Sequence, residues 1–173
     1  MNQNKLEEIL RLHKLWLAGD EEGKQAVLTG TDLTGANLTG ADLRVAILED
    51  ADLRGASLVK ADLSYAILTG ASLCKANLKY ADLTRANLCK AILTGANLTG
   101  AILCKANLRY ANLKEANLSY SNLTNADLRA AILCNANLYG ANLRNADLTY
   151  SNLAGADLTE ADLTIPIKNY EPK

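Results

Sequence analysis

From Leu28 to Leu163 a leucine returns at every fifth residue, giving 28 consecutive pentads with no insertion and no slip of register. Each pentad reads small residue, polar residue, Leu and two variable positions, as in Ala36-Asn37-Leu38-Thr39-Gly40 and Ala41-Asp42-Leu43-Arg44-Val45. No helix can use that spacing: at about 100° per residue, leucines five apart step round by about 140° and reach every side of the cylinder. A flat strand fails too, because a side-chain period of two sends alternate leucines to opposite faces. Within one pentad, however, the small residue and the Leu are two apart and share a face. A short extended piece followed by a bend therefore fits, and the chain must turn once per pentad. Turning repeatedly in one hand makes a coil whose windings stack about 4.8 Å apart, with Leu and Ala pointing inward.

These residues resemble the pentapeptide repeat proteins, whose motif is a small residue, Asp or Asn, Leu or Phe, then a position often Ser, Thr or Arg and a position often Gly. The resemblance covers about four fifths of the chain. It implies an all-β solenoid, a right-handed quadrilateral parallel β-helix with four pentads per coil. On that basis 28 pentads make about seven coils and a rod of roughly 34 Å. All 28 central residues are Leu, and the small position departs from Ala only at Thr31, Ser121 and Ser151.

Residues 1–25 read as an N-terminal capping helix and its connection, 26–165 as the β-helix and 166–173 as a C-terminal tail. Residues 4–18 are expected to be helical, with Asn4 and Glu7 at capping-box spacing and Gly19 at the C-terminal cap. Leu6, Ile9, Leu10, His13, Trp16 and Leu17 fall on one face, suited to cover the open end of the first coil. Helices carrying His-x-x-Trp-Leu precede the repeats in other members of the family, which supports capping, and His13 is assigned a structural role. Pro166 and Pro172 bar further pairing. Ile165, Ile167 and Tyr170 either fold across the last coil or leave it to an end-to-end homodimer. No run approaches the ~20 apolar residues of a membrane span, so a cytoplasmic protein is expected.

With four pentads per coil, residues twenty apart form columns. The position before Leu holds Asn eleven times, Asp nine times and Ser twice. Such side chains can bond the backbone at the turn or their counterpart in the next coil. Val27, Ile47 and Ile67 break this pattern in one column, with Val45 and Tyr65 on the adjoining corner. They make an apolar strip, readable either as a partner-binding site or as strand propensity.

Charge is segregated: residues 1–70 carry 7 basic and 11 acidic groups, 71–114 carry 7 and 1, and 115–173 carry 4 and 7. Lys75, Lys79, Arg85, Lys90, Lys105, Arg109 and Lys114 form a basic girdle over all four sides. It is a candidate anion-binding surface, although nucleic acid would favour a one-sided stripe. The four cysteines, Cys74, Cys89, Cys104 and Cys134, fall on separate columns or several coils apart, too far for disulfides or a shared zinc ion.

No nucleophile–base pair, phosphate loop or metal cluster is visible, so no enzyme activity and no cofactor are expected. The sequence favours a non-catalytic scaffold whose partner is another protein. The alternative from the resemblance is protection of DNA gyrase, which some members achieve as acidic rods mimicking DNA. Those members tend to show central Phe, a long negative surface, a C-terminal dimerising helix and sometimes loops; this chain lacks the Phe, helix and loops, and its middle is positive.

Overall fold

The computed structural model describes residues 1–164. The expectations for Ile165, Ile167, Tyr170 and the two prolines lie outside the described residues. The chain forms a right-handed quadrilateral parallel β-helix of seven coils behind one N-terminal helix, α1 (Gln3–Leu17). Successive coils meet in parallel bridges between residues twenty apart, from Val27↔Ile47 to Asn142↔Asp162. Each rung repeats three backbone bonds: the Leu48 amide donates to the Ile67 carbonyl at 2.7 Å, the Ile67 amide to the Ala46 carbonyl at 2.9 Å and, at the corner, the Asp50 amide to the Thr69 carbonyl at 2.9 Å.

The turn that closes each pentad follows from the residues around it. The amide of the next small residue donates back to the Leu carbonyl, as from Ala101 to Leu98 at 3.0 Å. The fifth position has positive φ throughout the coils, near 60° at non-glycine residues such as Tyr80, Arg85 and Asn125. That geometry is a type II turn. The residue before Leu closes it from the other side. Every Asn and Asp at that position accepts, through Oδ1, the amide two residues on, as Asn97 does from Thr99 at 3.1 Å and Asp82 from Thr84 at 2.8 Å. Turn closure thus dominates over Asn and Asp ladders between coils, of which one bond is seen among the described residues, Asn107 Nδ2 to Asn87 Oδ1 at 3.0 Å.

Inside, every Leu of the ladder from Leu28 to Leu143 is buried, as is the Ala column beside it from Ala46 to Ala141. Each buried Leu contributes about 1.5–3 kcal/mol before chain entropy is subtracted. Ser121 keeps its place in this apolar column by donating its hydroxyl to the Leu118 carbonyl at 2.7 Å. In the last coil Leu148, Leu153 and Leu158 are partly exposed and Leu163 is exposed.

The helix begins earlier than its sequence suggested. Asn2, not Asn4, is the N-cap, its Oδ1 accepting the Lys5 amide at 2.9 Å. Asn2 satisfies the helix-end amide directly, so no capping box is needed at Asn4 and Glu7. At the other end Ala18 caps, and Gly19, with φ 78°, turns the chain away. Gly19 donates to Trp16 and Asp20 to Leu15, both at 3.0 Å, which completes a Schellman motif. Gly23 then passes so close to the helix that a Cβ there would overlap the Trp16 backbone.

Leu6 and His13 are the buried residues of α1, and Ile9 and Leu10 pack partly against the coil end. Trp16, expected within the buried face, is instead at its edge, stacked on His13 with ring centroids 5.6 Å apart. His13 is fully buried and joins the cap to the coils: its Nδ1 accepts the Ala26 amide and its Nε2 bonds the Arg44 carbonyl, both at 3.0 Å. Because Nδ1 accepts a hydrogen bond, Nε2 carries the hydrogen of a neutral ring. Burial lowers its pKa further.

Candidate functional site

One face of the rod runs through Val27, Ile47, Ile67, Asn87, Asn107, Asp127 and Asp147, a continuous ladder of bridges. Its N-terminal end is apolar. Val27 is 60% exposed, Ile67 is exposed and Ile47 partly so, while Val45 and Tyr65 are exposed on the adjoining corner. The five residues proposed from sequence are therefore neighbours on successive coils.

Two observations distinguish this strip from ordinary strand residues. Ile47 and Ile67 occupy positions where Asn or Asp would close the turn, and the amides of Glu49 and Thr69 have no hydrogen-bond partner among the described residues. Isolated Ile92, Ile102 and Ile132 do the same on other faces, but only here do such residues follow one another from coil to coil. Val45, moreover, is β-branched at φ 59°, a conformation that crowds its Cβ. The corner is held from the cap: Gln25 Nε2 donates to the Val45 carbonyl at 2.8 Å beside the His13–Arg44 bond.

The strip extends farther than sequence reasoning found. Val27 borders two grooves between the first coil and α1. One, of about 480 Å³, is lined by Met1, Asn2, Lys5, Ile9, Val27, Leu28, Thr31 and Asp32. The other, of about 180 Å³, is lined by Ile9, Leu12, Lys24, Gln25 and Val27. Ile9 and Leu12 thus continue the apolar surface onto the helix. The periodicity of α1 placed Ile9 beside the coil but carried no information on which face of the rod would meet it.

The girdle is also resolved by the fold. Arg85 and Lys105 line one edge of this same face and Lys90 and Arg109 the other, with the Asn87–Asn107 bond between them. Lys75 and Lys114 belong to the third corner and Lys79 to the fourth. Arg85 lies over the Tyr65 ring at 5.6 Å, Arg109 over Tyr110 at 5.6 Å and Lys79 over Tyr80 at 5.1 Å. Lys114 pairs with Glu115 at 3.5 Å.

The four cysteines are free and half-buried, and burial pushes the Cys104 thiol up. Among the described residues, no group of three or more His, Cys, Asp or Glu side chains is placed to hold a metal ion. Among them too, no helix is long and apolar enough to cross a membrane.

A quadrilateral solenoid built from a five-residue unit is the class of protein this geometry defines. The family model for pentapeptide repeats matches in overlapping segments from residue 24 to residue 164, and the chain belongs to the pentapeptide repeat family. Among solved structures it is similar to HetL, a pentapeptide repeat protein involved in heterocyst differentiation regulation from the cyanobacterium Nostoc sp. strain PCC 7120. The identity is 38%, over 80% of this chain and 73% of HetL, with a TM-score of 0.60. A trypsin-treated variant of QnrB1, a plasmid-mediated fluoroquinolone resistance protein, shares the fold at 18% identity and a TM-score of 0.50, over 79% of this chain and 72% of that one. Rfr23 from the cyanobacterium Cyanothece 51142 is 26% identical over 89% of this chain and 95% of its own, with a TM-score of 0.45. A comparison with curated proteins found no match.

Proposed function

We propose that this protein is a non-catalytic scaffold that binds a protein partner through the strip formed by Val27, Val45, Ile47, Tyr65 and Ile67. The observation that carries the reading is the consecutive loss of the turn-closing Asn or Asp at Val27, Ile47 and Ile67, which leaves apolar side chains outward and turn amides unpaired among the described residues. A turn hydrogen bond contributes about 0.5–1.5 kcal/mol, so the chain forgoes stability to present an apolar surface. The likeness to HetL, a protein involved in regulation, is consistent with recognition rather than catalysis. The likeness to QnrB1 is one of fold and gives no ground for assigning gyrase protection. Four free thiols accord with a reducing compartment such as the cytoplasm.

The test is capture of partners from native extract by the intact protein and by Ile47→Asp/Ile67→Asp, with the fold of each checked by circular dichroism. A partner that is recovered by the former, lost with the latter and binds the purified protein directly supports the reading. Equal recovery by both places recognition elsewhere.

A further inference from the structure

The apolar strip and part of the basic girdle share one face, and their order along it is fixed. Reading the central ladder from the cap, Val27, Ile47 and Ile67 come first, Asn87 and Asn107 next, Asp127 and Asp147 last. Corner side chains follow the same zoning. Beside the apolar coils one corner carries Glu49 and Asp50, and on the other Arg44 is already paired with Asp42 at 2.7 Å, whereas Arg85, Lys90, Lys105 and Arg109 border the two asparagines. None of these four cations forms an ion pair among the described residues. One coil on the pattern ends: Arg129 is engaged by Asp127 at 2.8 Å and by Asp147 at 3.5 Å. The one acidic residue between positions 71 and 114, Asp82, belongs to the adjacent ladder with Asp62 and Ile102.

Like charges along a rim are unfavourable unless something answers them, and complementary charge sets the register of a docked partner. We infer that the segment docking on this face is a protein segment that presents an apolar cluster to coils one to three and carboxylates to the Asn87–Asn107 coils. The inference rests on the docking reading above and adds the chemistry and direction of the partner. At ~4.8 Å per coil, the carboxylates lie roughly 5–10 Å beyond the last apolar contact. That is about three to seven residues along a helix, or two to three along an extended segment. Glu49 and Asp50 oppose the reversed orientation, which would bring the partner's acids against them. The apolar third distinguishes the site from a nucleic-acid groove, which has no use for Val27, Ile47 and Ile67.

The probe is a displayed library of random peptides about 16 residues long, enough for about 24 Å of helix, selected on the intact protein. Selected peptides are then labelled and titrated against three proteins: the natural sequence, Ile47→Asp/Ile67→Asp and Arg85→Glu/Lys105→Glu. Both pairs respect the fold, since Asp already fills the same pentad position at 42, 62 and 82, and Glu fills the corner position at 115 and 160. The expected result is peptides that join an apolar cluster to Asp or Glu, lose about tenfold or more in affinity with either pair, and bind more weakly as salt is raised. Peptides lost with the isoleucine pair but indifferent to the charge pair overturn the acidic partner and leave the docking reading standing. Indifference to both pairs, or no peptide above an empty support, overturns both. Tighter binding of a duplex DNA of about 20 base pairs, abolished by the charge pair and unaffected by the isoleucine pair, makes the zone a nucleic-acid site and overturns the inference.

Discussion

The amide of Ala26 donates to Nδ1 of His13 at 3.0 Å, so the first coil is joined to its cap through the ring nitrogen that protonation would remove as an acceptor. Burial lowers the His13 pKa below its ordinary 6.5, opposed by its bond to the Arg44 carbonyl and by the Asp42 charge. A lowered histidine pKa means that the unfolded chain binds more protons. The stabilisation is therefore full above pH 6.5 and declines as pH falls through that value towards the folded pKa. Trp16 is the one tryptophan and stacks on this ring, so its fluorescence reports the cap. The cap should loosen on acidification from neutral pH, and His13→Gln should flatten that dependence. An unchanged pH profile in the variant would remove His13 as its source.

His13→Leu should cost about 2–4 kcal/mol, because it leaves the Ala26 amide and the Arg44 carbonyl buried without partners. Amide exchange should rise first in the opening coil. A loss below about 0.5 kcal/mol would show that another group satisfies those atoms.

Tyr80 lies across the corner glycine of the next coil, with a ring carbon 2.6 Å from where a Cβ at Gly100 would stand. Gly95, with nearly the same φ, has only Lys75 Cγ near, at 3.7 Å. Gly95→Ala should cost about 1–2 kcal/mol for the left-handed backbone alone, and Gly100→Ala more. In a Tyr80→Ala background the two costs should converge, as measured by denaturant titration. If they stay apart, the ring is not the cause.

Ile47→Asn should be neutral or stabilising by up to about 1 kcal/mol, since Asn at this position supplies the missing acceptor for the Glu49 amide. If Ile47 serves strand propensity alone, the same change should destabilise by up to about 1 kcal/mol. Equilibrium unfolding separates the two.

Leu98→Ala, in the middle of the column, should cost about 2–5 kcal/mol. Because each coil touches only its neighbours, exchange should accelerate around the coils containing Leu78, Leu98 and Leu118 before the rod unfolds as a whole. Uniform acceleration along the chain would contradict that locality.

Much of this architecture was written in the spacing alone. A leucine every five residues excludes helix and flat strand, and a residue twenty positions away is a vertical neighbour in any four-sided coil. The strip of Val27, Ile47 and Ile67 was legible once the resemblance to the family supplied the four sides. The start of α1 was not: Asn2 and Asn4 are the same residue type, and only the direction of the Asn2 side chain towards the Lys5 amide decides between them. Nor did spacing say that Asn and Asp would close their own turns in every pentad that holds one while a ladder bond between them is rare: Asn87 Oδ1 accepts both the Cys89 amide and Asn107 Nδ2, so the turn bond follows from local geometry and the ladder bond from the neighbouring coil.

The five-residue period was enough to give a coil with inward Leu and Ala, because no helix or flat strand can bury that spacing; which outward residues stack followed only once the resemblance to the pentapeptide repeat proteins supplied four pentads per coil. How α1 lies on the rod came from packing: Ile9 and Leu12 beside Val27, and His13 between Ala26 and Arg44. The helix and the coils have different periods. No repeat relates one to the other, and their register is set by packing and by two buried hydrogen bonds.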